Sequence, residues 1–197
     1  MLTETLRALR PTVVLLLLIT LVTGLLYPAV ITAIAQVALP AQANGSIVTD
    51  RTGKPIGSSL IGQDFTTPGY FHPRPSAAGK GYDASASGAT NLAPGSKSLR
   101  DAIAERTAEA RAEGMTGDLP ADLVTSSASG LDPDISPATA LLQAPRVARA
   151  RGIDDAQVRA LIAAHTAMPT LGIIGEPHVN VLQLNRQLDA LSASMRR

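Results

Sequence analysis

The 197-residue sequence has no cysteine, which excludes a disulfide framework, a zinc–thiolate centre and a cysteine nucleophile. Tryptophan is also absent and aromatic residues make up only 3 % of the chain, so a core has to be built from Leu, Ile, Val and Ala. Neither sign of charge dominates. Seventeen Lys and Arg stand against 16 Asp and Glu, without the basic excess of a nucleic-acid binder, and no nucleic-acid partner is expected. Gly and Pro number 16 and 14, which suggests a loop-rich domain rather than a helical bundle.

Charge is missing altogether between Arg10 and Asp50. Within that stretch Thr12–Leu39 is 28 residues of mostly aliphatic side chains, interrupted only by Thr12, Thr20, Thr23, Thr32 and Gln36. As a helix it would reach about 42 Å, against roughly 30 Å of bilayer hydrocarbon, enough to span with residues to spare. Arg7, Arg10 and the small-residue run Ala41-Gln42-Ala43 also fit a cleaved secretory signal, but a signal's apolar region is about 7–15 residues long, so length favours a retained anchor. Arg7 and Arg10 precede the span and no basic residue follows it until Arg51, which places the N-terminus in the cytoplasm. The expected division is a cytoplasmic segment 1–11, a transmembrane helix and stalk 12–39, and an α+β domain 40–197 beyond the membrane. Pro28 removes a backbone donor opposite residue 24, so a bend is expected near Gly24. The small-residue spacings Thr20–Gly24 and Ala29–Ala33 mark Gly24 and Pro28 as candidate packing positions for a partner helix.

Beyond Pro40 the composition becomes that of a soluble domain. Ser46–Thr49 and Pro55–Ser58 flank the turn Asp50-Arg51-Thr52-Gly53 and read as a hairpin, with Leu60–Phe65 a candidate third strand. Thr66–Ser96 is dense in Gly, Pro, Ser and Ala and reads as long loops. Leu99–Glu113 is an Ala-rich helix stopped by Gly114, and Val124–Gly130 a Ser-rich connection. Ser136-Pro137 opens a helix expected to kink or restart at Pro145. Val158, Leu161, Ile162 and His165 define a second amphipathic helix. A last helix begins near Asn180, with Val181, Leu184, Leu188 and Leu191 on one face. The fold class is α+β: one membrane helix carrying one domain with a small sheet and several helices.

No catalytic pattern is complete. The P-loop spacing fails around Gly79-Lys80 and Gly95-Ser96-Lys97, and neither Gly-x-Ser-x-Gly nor Ser-x-x-Lys occurs. His72, His165 and His178 stand far apart, so no metal site is expected. Asp132-Pro133-Asp134-Ile135-Ser136 lacks the Gly and closing Glu of a calcium loop, and its carboxylates suit turn and capping duty. Catalytic residues are therefore none, although an anchored periplasmic hydrolase using Ser127 or Ser129 with His165 or His178, or a binding protein released after Ala43, remain alternative readings. Tyr70, Phe71 and Arg74 lie in the stiff stretch Tyr70-Phe71-His72-Pro73-Arg74-Pro75, a candidate docking element, unless Phe71 plugs the core. Arg146, Arg149 and Arg151 form a basic cluster on one helix, able to meet an acidic partner or remain a solvated face.

Five ordered motifs then define a resemblance. They are Gly57-Ser58-Ser59-Leu60-Ile61-Gly62-Gln63, Tyr70 to Ala77, Val124 to Pro133, Gln143 to Arg151, and Val179-Asn180-Val181-Leu182-Gln183-Leu184-Asn185. With the single N-terminal span they resemble the KdpC family of subunits of the bacterial Kdp potassium-transporting ATPase, along essentially the whole chain. The sequence departs from the family pattern at Ser87-Gly88-Ala89-Thr90-Asn91 and at Asp134. The resemblance implies a non-catalytic subunit of an inner-membrane complex, single-pass, with its C-terminal domain in the periplasm. Its implied partners are a channel-like potassium-binding subunit, a P-type ATPase subunit and a small membrane peptide; ATP and potassium are handled by the complex. It further implies an assembly role and a catalytic-chaperone role that raises ATP affinity, with Gln63 in Leu60-Ile61-Gly62-Gln63 as the residue invoked. The flanking charges put Gln63 across the bilayer from cytoplasmic ATP, whereas a hydrogen bond needs about 3 Å. That leaves an indirect effect, or a structural role such as closing a strand edge.

Overall fold

A computed structural model describes residues 2–50 and 52–195 and divides into two compact units, Met1–Ile47 and Val48–Arg197. The turn expected at Asp50-Arg51-Thr52-Gly53 lies partly outside the described residues, at Arg51.

The first unit is one long helix with a short cap. Helix α1 (Leu2–Leu21) passes into a π-helical turn, Val22–Leu26, and continues as α2 (Tyr27–Ala38). The turn is a consequence of Pro28, which supplies no N–H to residue 24 and whose ring crowds that carbonyl. The helix responds by widening, with Tyr27 N–H bonding to Val22 O, a local bulge in place of a break. Arg7–Ala38 is 32 residues long, with a mean hydropathy of 2.5 in its most apolar window. Thr12 and Thr23 turn their hydroxyls back on Ala8 O and Ile19 O at 2.8 and 2.7 Å, so neither competes for an external partner. Residues 40–47 fold with this unit. Helix α3 (Pro40–Ala43) brings Asn44 back to Gln36, its Nδ2 donating to Gln36 Oε1 at 3.1 Å and to Pro40 O at 2.7 Å.

The second unit is α+β. Strands β1 (Ile47–Thr49) and β2 (Pro55–Ser58) form a two-stranded sheet, tied off by the Asp50 carboxylate. That group accepts from Thr52 N, Thr52 Oγ1 and Lys54 N, bonds that hold its pKa below the usual carboxylate value. A second sheet has β5 (His178–Asn180) at its centre, antiparallel to β3 (Asp134–Ile135) and to β4 (Thr166–Ala167). Val179 pairs with Ile135 on one side and Thr166 on the other. Around the sheet stand α4 (Lys97–Ala112), α5 (Ala121–Val124), α6 (Pro137–Arg151), α7 (Asp155–Ala164) and α8 (Val181–Met195). Ser96, Ser136 and Asp154 cap the N-termini of α4, α6 and α7 through their side-chain oxygens. The Ser136 cap is itself buttressed by Asp122, which accepts from Ser136 N and Oγ and from Thr139 Oγ1.

The core is aliphatic, as the composition requires. Ala140, Ala144 and Val147 from α6, Val158 and Ile162 from α7, and Val181, Leu184 and Leu188 from α8 close on Ile135 and Val179 of the sheet. Phe71 is its one aromatic member. Two local expectations fail. Leu60–Phe65 is not a strand, because Gly62 fastens to Leu131 O by one bond of 2.8 Å and no ladder follows. Helix α6 runs through Pro145 without restarting. Pro145 and Leu141 both sit on its solvent side, where the carbonyl released by the missing N–H is open to water. The short elements α5, β3, β4 and β5 were not foreseen.

Leu188 is fully buried and Leu171 is 85 % exposed, so their truncations should separate cleanly. Leu188→Ala is expected to cost about 2–5 kcal/mol, lowering the thermal midpoint of the detergent-solubilised chain by roughly 5–15 °C, read by far-UV circular dichroism. Leu171→Ala should stay within about 0.5 kcal/mol.

Candidate functional site

The stretch Phe65–Ser76 contains Pro68, Pro73 and Pro75 and runs beside the core without joining a sheet. Proline offers no donor and forbids a regular ladder, yet the peptide groups of a buried segment still need partners. Two side-chain amides supply them. Asn185 on α8 accepts from Phe71 N at 2.8 Å and donates to Phe71 O at 3.0 Å. Gln143 on α6 accepts from His72 N at 2.7 Å and donates to His72 O at 3.0 Å. Both amides are buried, as is Phe71.

Cations secure the flanks of this strap. Arg146 Nη1 donates to Pro68 O and Tyr70 O at 2.7 and 3.0 Å, its Nη2 to Gln143 Oε1 at 2.7 Å, and its Nε lies 3.1 Å from Glu113. Burial pulls the Arg146 pKa down and Glu113 opposes the shift. Arg151 donates to Gly69 O and to Asp189 at 2.5 and 2.7 Å, and its guanidinium lies 4.6 Å from the centre of the Tyr70 ring. The Tyr70 hydroxyl reaches Asp189 at 3.1 Å. Arg74 pairs with Asp132 at 2.8 Å, while its carbonyl accepts from the Tyr82 hydroxyl, whose pKa burial raises. Ser76 Oγ donates to Gly130 O at 2.6 Å and accepts from Tyr82 N. Tyr70, Phe71, Arg74 and Arg146 are thus all engaged within the chain. Of the basic cluster, Arg146 and Arg151 turn inward and Arg149 stays on the solvent face.

Between the strap and α4 lies a cleft of about 400 Å³, with His72, Arg74, Tyr82, Arg106, Glu113 and Gln143 on its walls. His72 Nδ1 stands 3.8 Å from Glu113 and Nε2 is 3.1 Å from Thr67 O. Burial lowers its pKa, helped by the Arg146 charge and opposed by Glu113. The serines considered for hydrolysis are turn residues here. Ser127 and Ser129 accept from Gly130 N and Leu131 N, while His165 and His178 bond to Leu161 O and Glu176 O. No hydrogen bond joins these serines to a histidine among the described residues. Nor do the described residues group three or more His, Asp or Glu in a metal-binding arrangement.

Gln63 is half-buried, with Nε2 donating to Ile56 O of β2 at 3.3 Å. Gly24 and Pro28 lie at the π-helical turn of the apolar helix. One surface was missed by sequence reasoning. Between β4 and β5 a tight turn, closed by Thr170 N to Ile174 O at 2.9 Å, exposes Met168, Leu171, Ile173 and Ile174 to solvent at 61–85 %. Its signal was present: a stretch, Thr166–Gly175, without a charge and with four large aliphatic side chains.

Fold and site together define a class: a small α+β domain with a strap fastened by buried side-chain amides, following in the chain one helix of membrane-spanning length and composition. The chain belongs to the KdpC family. The family model "K+-transporting ATPase, c chain" matches residues 9–190. Similar proteins, each a potassium-transporting ATPase KdpC subunit, come from Gemmatimonas aurantiaca (55 % identical, 94 % of both chains), Caulobacter vibrioides (56 %, 92 % of both) and Geobacter sulfurreducens (49 %, 94 % of this chain and 98 % of that one).

Asn185→Ala would leave the Phe71 N–H and C=O both buried and unpaired, at about 1–3 kcal/mol each, and should destabilise the domain accordingly in urea titrations. The lowered His72 pKa adds an acid-side effect. Above about pH 6.5 the imidazole is neutral in both states. Below that the unfolded chain takes the proton first and stability falls. Replacing His72 with Gln should remove that part of the loss between pH 7 and 5.

Proposed function

We propose that this chain is a non-catalytic accessory subunit of an ATP-driven potassium-uptake complex, spanning the bacterial inner membrane once with its N-terminus in the cytoplasm and residues 40–197 in the periplasm. Its partners are a channel-like potassium-binding subunit, a P-type ATP-hydrolysing subunit and a small membrane peptide, whose assembly it stabilises. The observation that carries the reading is the apolar helix, which buries no residue within the chain's own fold in a family of transport-ATPase subunits. The bulge at Gly24 and Pro28 shapes its packing face toward a partner helix. The aliphatic tip 168–174 is a second unpartnered surface and docks on a periplasmic apolar patch of one of the large subunits. The tip carries no Lys, Arg, Trp or Tyr, the residues that anchor a loop at a lipid interface, and a protein partner therefore suits it better than the bilayer. Any influence on ATP affinity is indirect, exerted through the conformational equilibrium of the ATPase subunit.

The absence of cysteine allows topology to be tested with single probes. Lys80→Cys should react with an impermeant maleimide on intact spheroplasts and Thr5→Cys only after lysis; the reverse pattern overturns the orientation and admits direct ATP contact. Leu171→Asp with Ile173→Asp should reduce recovery of the larger subunits with this chain at least several-fold in detergent, at unchanged thermal midpoint. Undiminished recovery removes the tip from the interface.

A further inference from the structure

Leu60-Ile61-Gly62-Gln63 joins two parts of the domain. Gly62 is wedged against the chain at 131–132. Its N–H donates to Leu131 O at 2.8 Å, and a Cβ at this position would stand 2.5 Å from Asp132 O. No side chain can occupy that space without moving the backbone. One residue on, the Gln63 amide reaches back to β2, where Nε2 donates to Ile56 O at 3.3 Å. The amide lies so flat on the strand that a Cβ at Gly57 would fall 1.6 Å from Nε2. Leu60 and Ile61, by contrast, are exposed. The motif is therefore a fixed point followed by a clasp. Two further bonds reach the same hairpin region from the body of the domain, Asn180 Nδ2 to Ser59 O at 3.0 Å and Arg186 Nη2 to Thr49 O at 3.2 Å. The hairpin is also the first sheet the chain forms after leaving the apolar helix.

We infer that Gln63 is a latch fastening the β1–β2 hairpin to the domain body through Gly62, and that the influence of residues 60–63 on partner subunits passes through the hairpin rather than through contact of Gln63 with a nucleotide. The second half rests on the function proposed above; the first does not. Gly57 offers a second route to the latch that leaves Gln63 itself intact. Gly57→Ala places a methyl group where the amide now rests and also strains the backbone there, at φ 159°, whereas Gln63→Ala removes the amide alone and is the cleaner of the two.

Hydrogen exchange on the full-length chain is the first readout. Gln63→Ala, Gln63→Glu and Gly57→Ala should each speed exchange of the amides in 53–58 about fivefold, the scale of one lost hydrogen bond, with exchange in α6 and α8 unchanged. The glutamate variant matters because it keeps length and shape but has no donor for Ile56 O. Unaltered hairpin exchange in either Gln63→Ala or Gly57→Ala overturns the latch. The apparent KM for ATP of the assembled complex is the second. Equal shifts in Gln63→Ala and Gly57→Ala, with no larger shift in the double variant, support transmission through the hairpin. A shift in Gln63→Ala alone overturns it and marks the side chain as a direct contact. A loosened hairpin with KM unchanged in all variants upholds the latch and overturns transmission from it to the ATPase subunit.

Discussion

The domain depends on two buried amides standing in for a β-strand. A segment that includes Tyr70, Phe71 and His72 has to pass through the interior so that Phe71 can fill a core otherwise made of aliphatic side chains. The prolines around it forbid a normal sheet edge. Asn185 and Gln143 each present one acceptor and one donor, the arrangement a neighbouring peptide would offer, and they engage two consecutive residues. Because they come from α8 and α6, the strap fixes the spacing of those helices as well as its own path. Losing Asn185 orphans two buried backbone groups at once and losing Gln143 two half-buried ones, a larger penalty than the net value of the bonds each makes.

The same economy governs the charged residues around the strap. Arg146 and Arg151 satisfy carbonyls at Pro68, Gly69 and Tyr70 that the prolines and the turn leave open, and Glu113 and Asp189 balance their charge. Of the three cations that the sequence left open as a docking cluster or a solvated face, Arg146 and Arg151 are internal fastenings and Arg149 lies on the solvent face. The domain also exposes an apolar patch, the 168–174 tip, and the other unit exposes the large apolar side chains of the membrane-type helix. A subunit that keeps an aliphatic core and still exposes an apolar tip and an apolar helix is suited to being held by other surfaces.

The apolar N-terminal helix and the helices of the domain were legible in sequence because their signals are local. A charge-free run, a Ser-Pro helix start and the 3.6-residue spacing of Val158, Leu161 and Ile162 need no knowledge of distant residues. The hairpin was legible for the same reason, its turn residues lying between two β-like runs. The second sheet was not: β3 and β4 are two residues each and exist only because β5 lies between them, more than forty residues along from β3. Asn185 and Gln143 were similarly hidden. Each falls on the apolar stripe of its helix, where a polar side chain signals a buried partner, but the partner is 114 and 71 residues away. Pro145 misled for the opposite reason, since the rule that proline breaks helices is local and the exposure that lets α6 continue is not.

The two units answer different constraints. In the interior of the apolar helix the backbone groups bond along the segment, so Pro28 forces a π-turn and the hydroxyls of Thr12 and Thr23 fold back on carbonyls, as a helix of membrane-spanning composition requires. In the domain, water is available at the surface, and the strap's carbonyls are nevertheless bonded internally. That difference marks the strap as a place where rigidity, rather than mere satisfaction of polar groups, is maintained. Rigidity there holds α6 and α8 in register, α8 begins at β5, and β5 sets the sheet from which the 168–174 tip projects. A tip of four aliphatic side chains presents a defined shape only if its base is fixed, so the buried amides of the strap and the exposed apolar tip are two ends of one mechanical requirement.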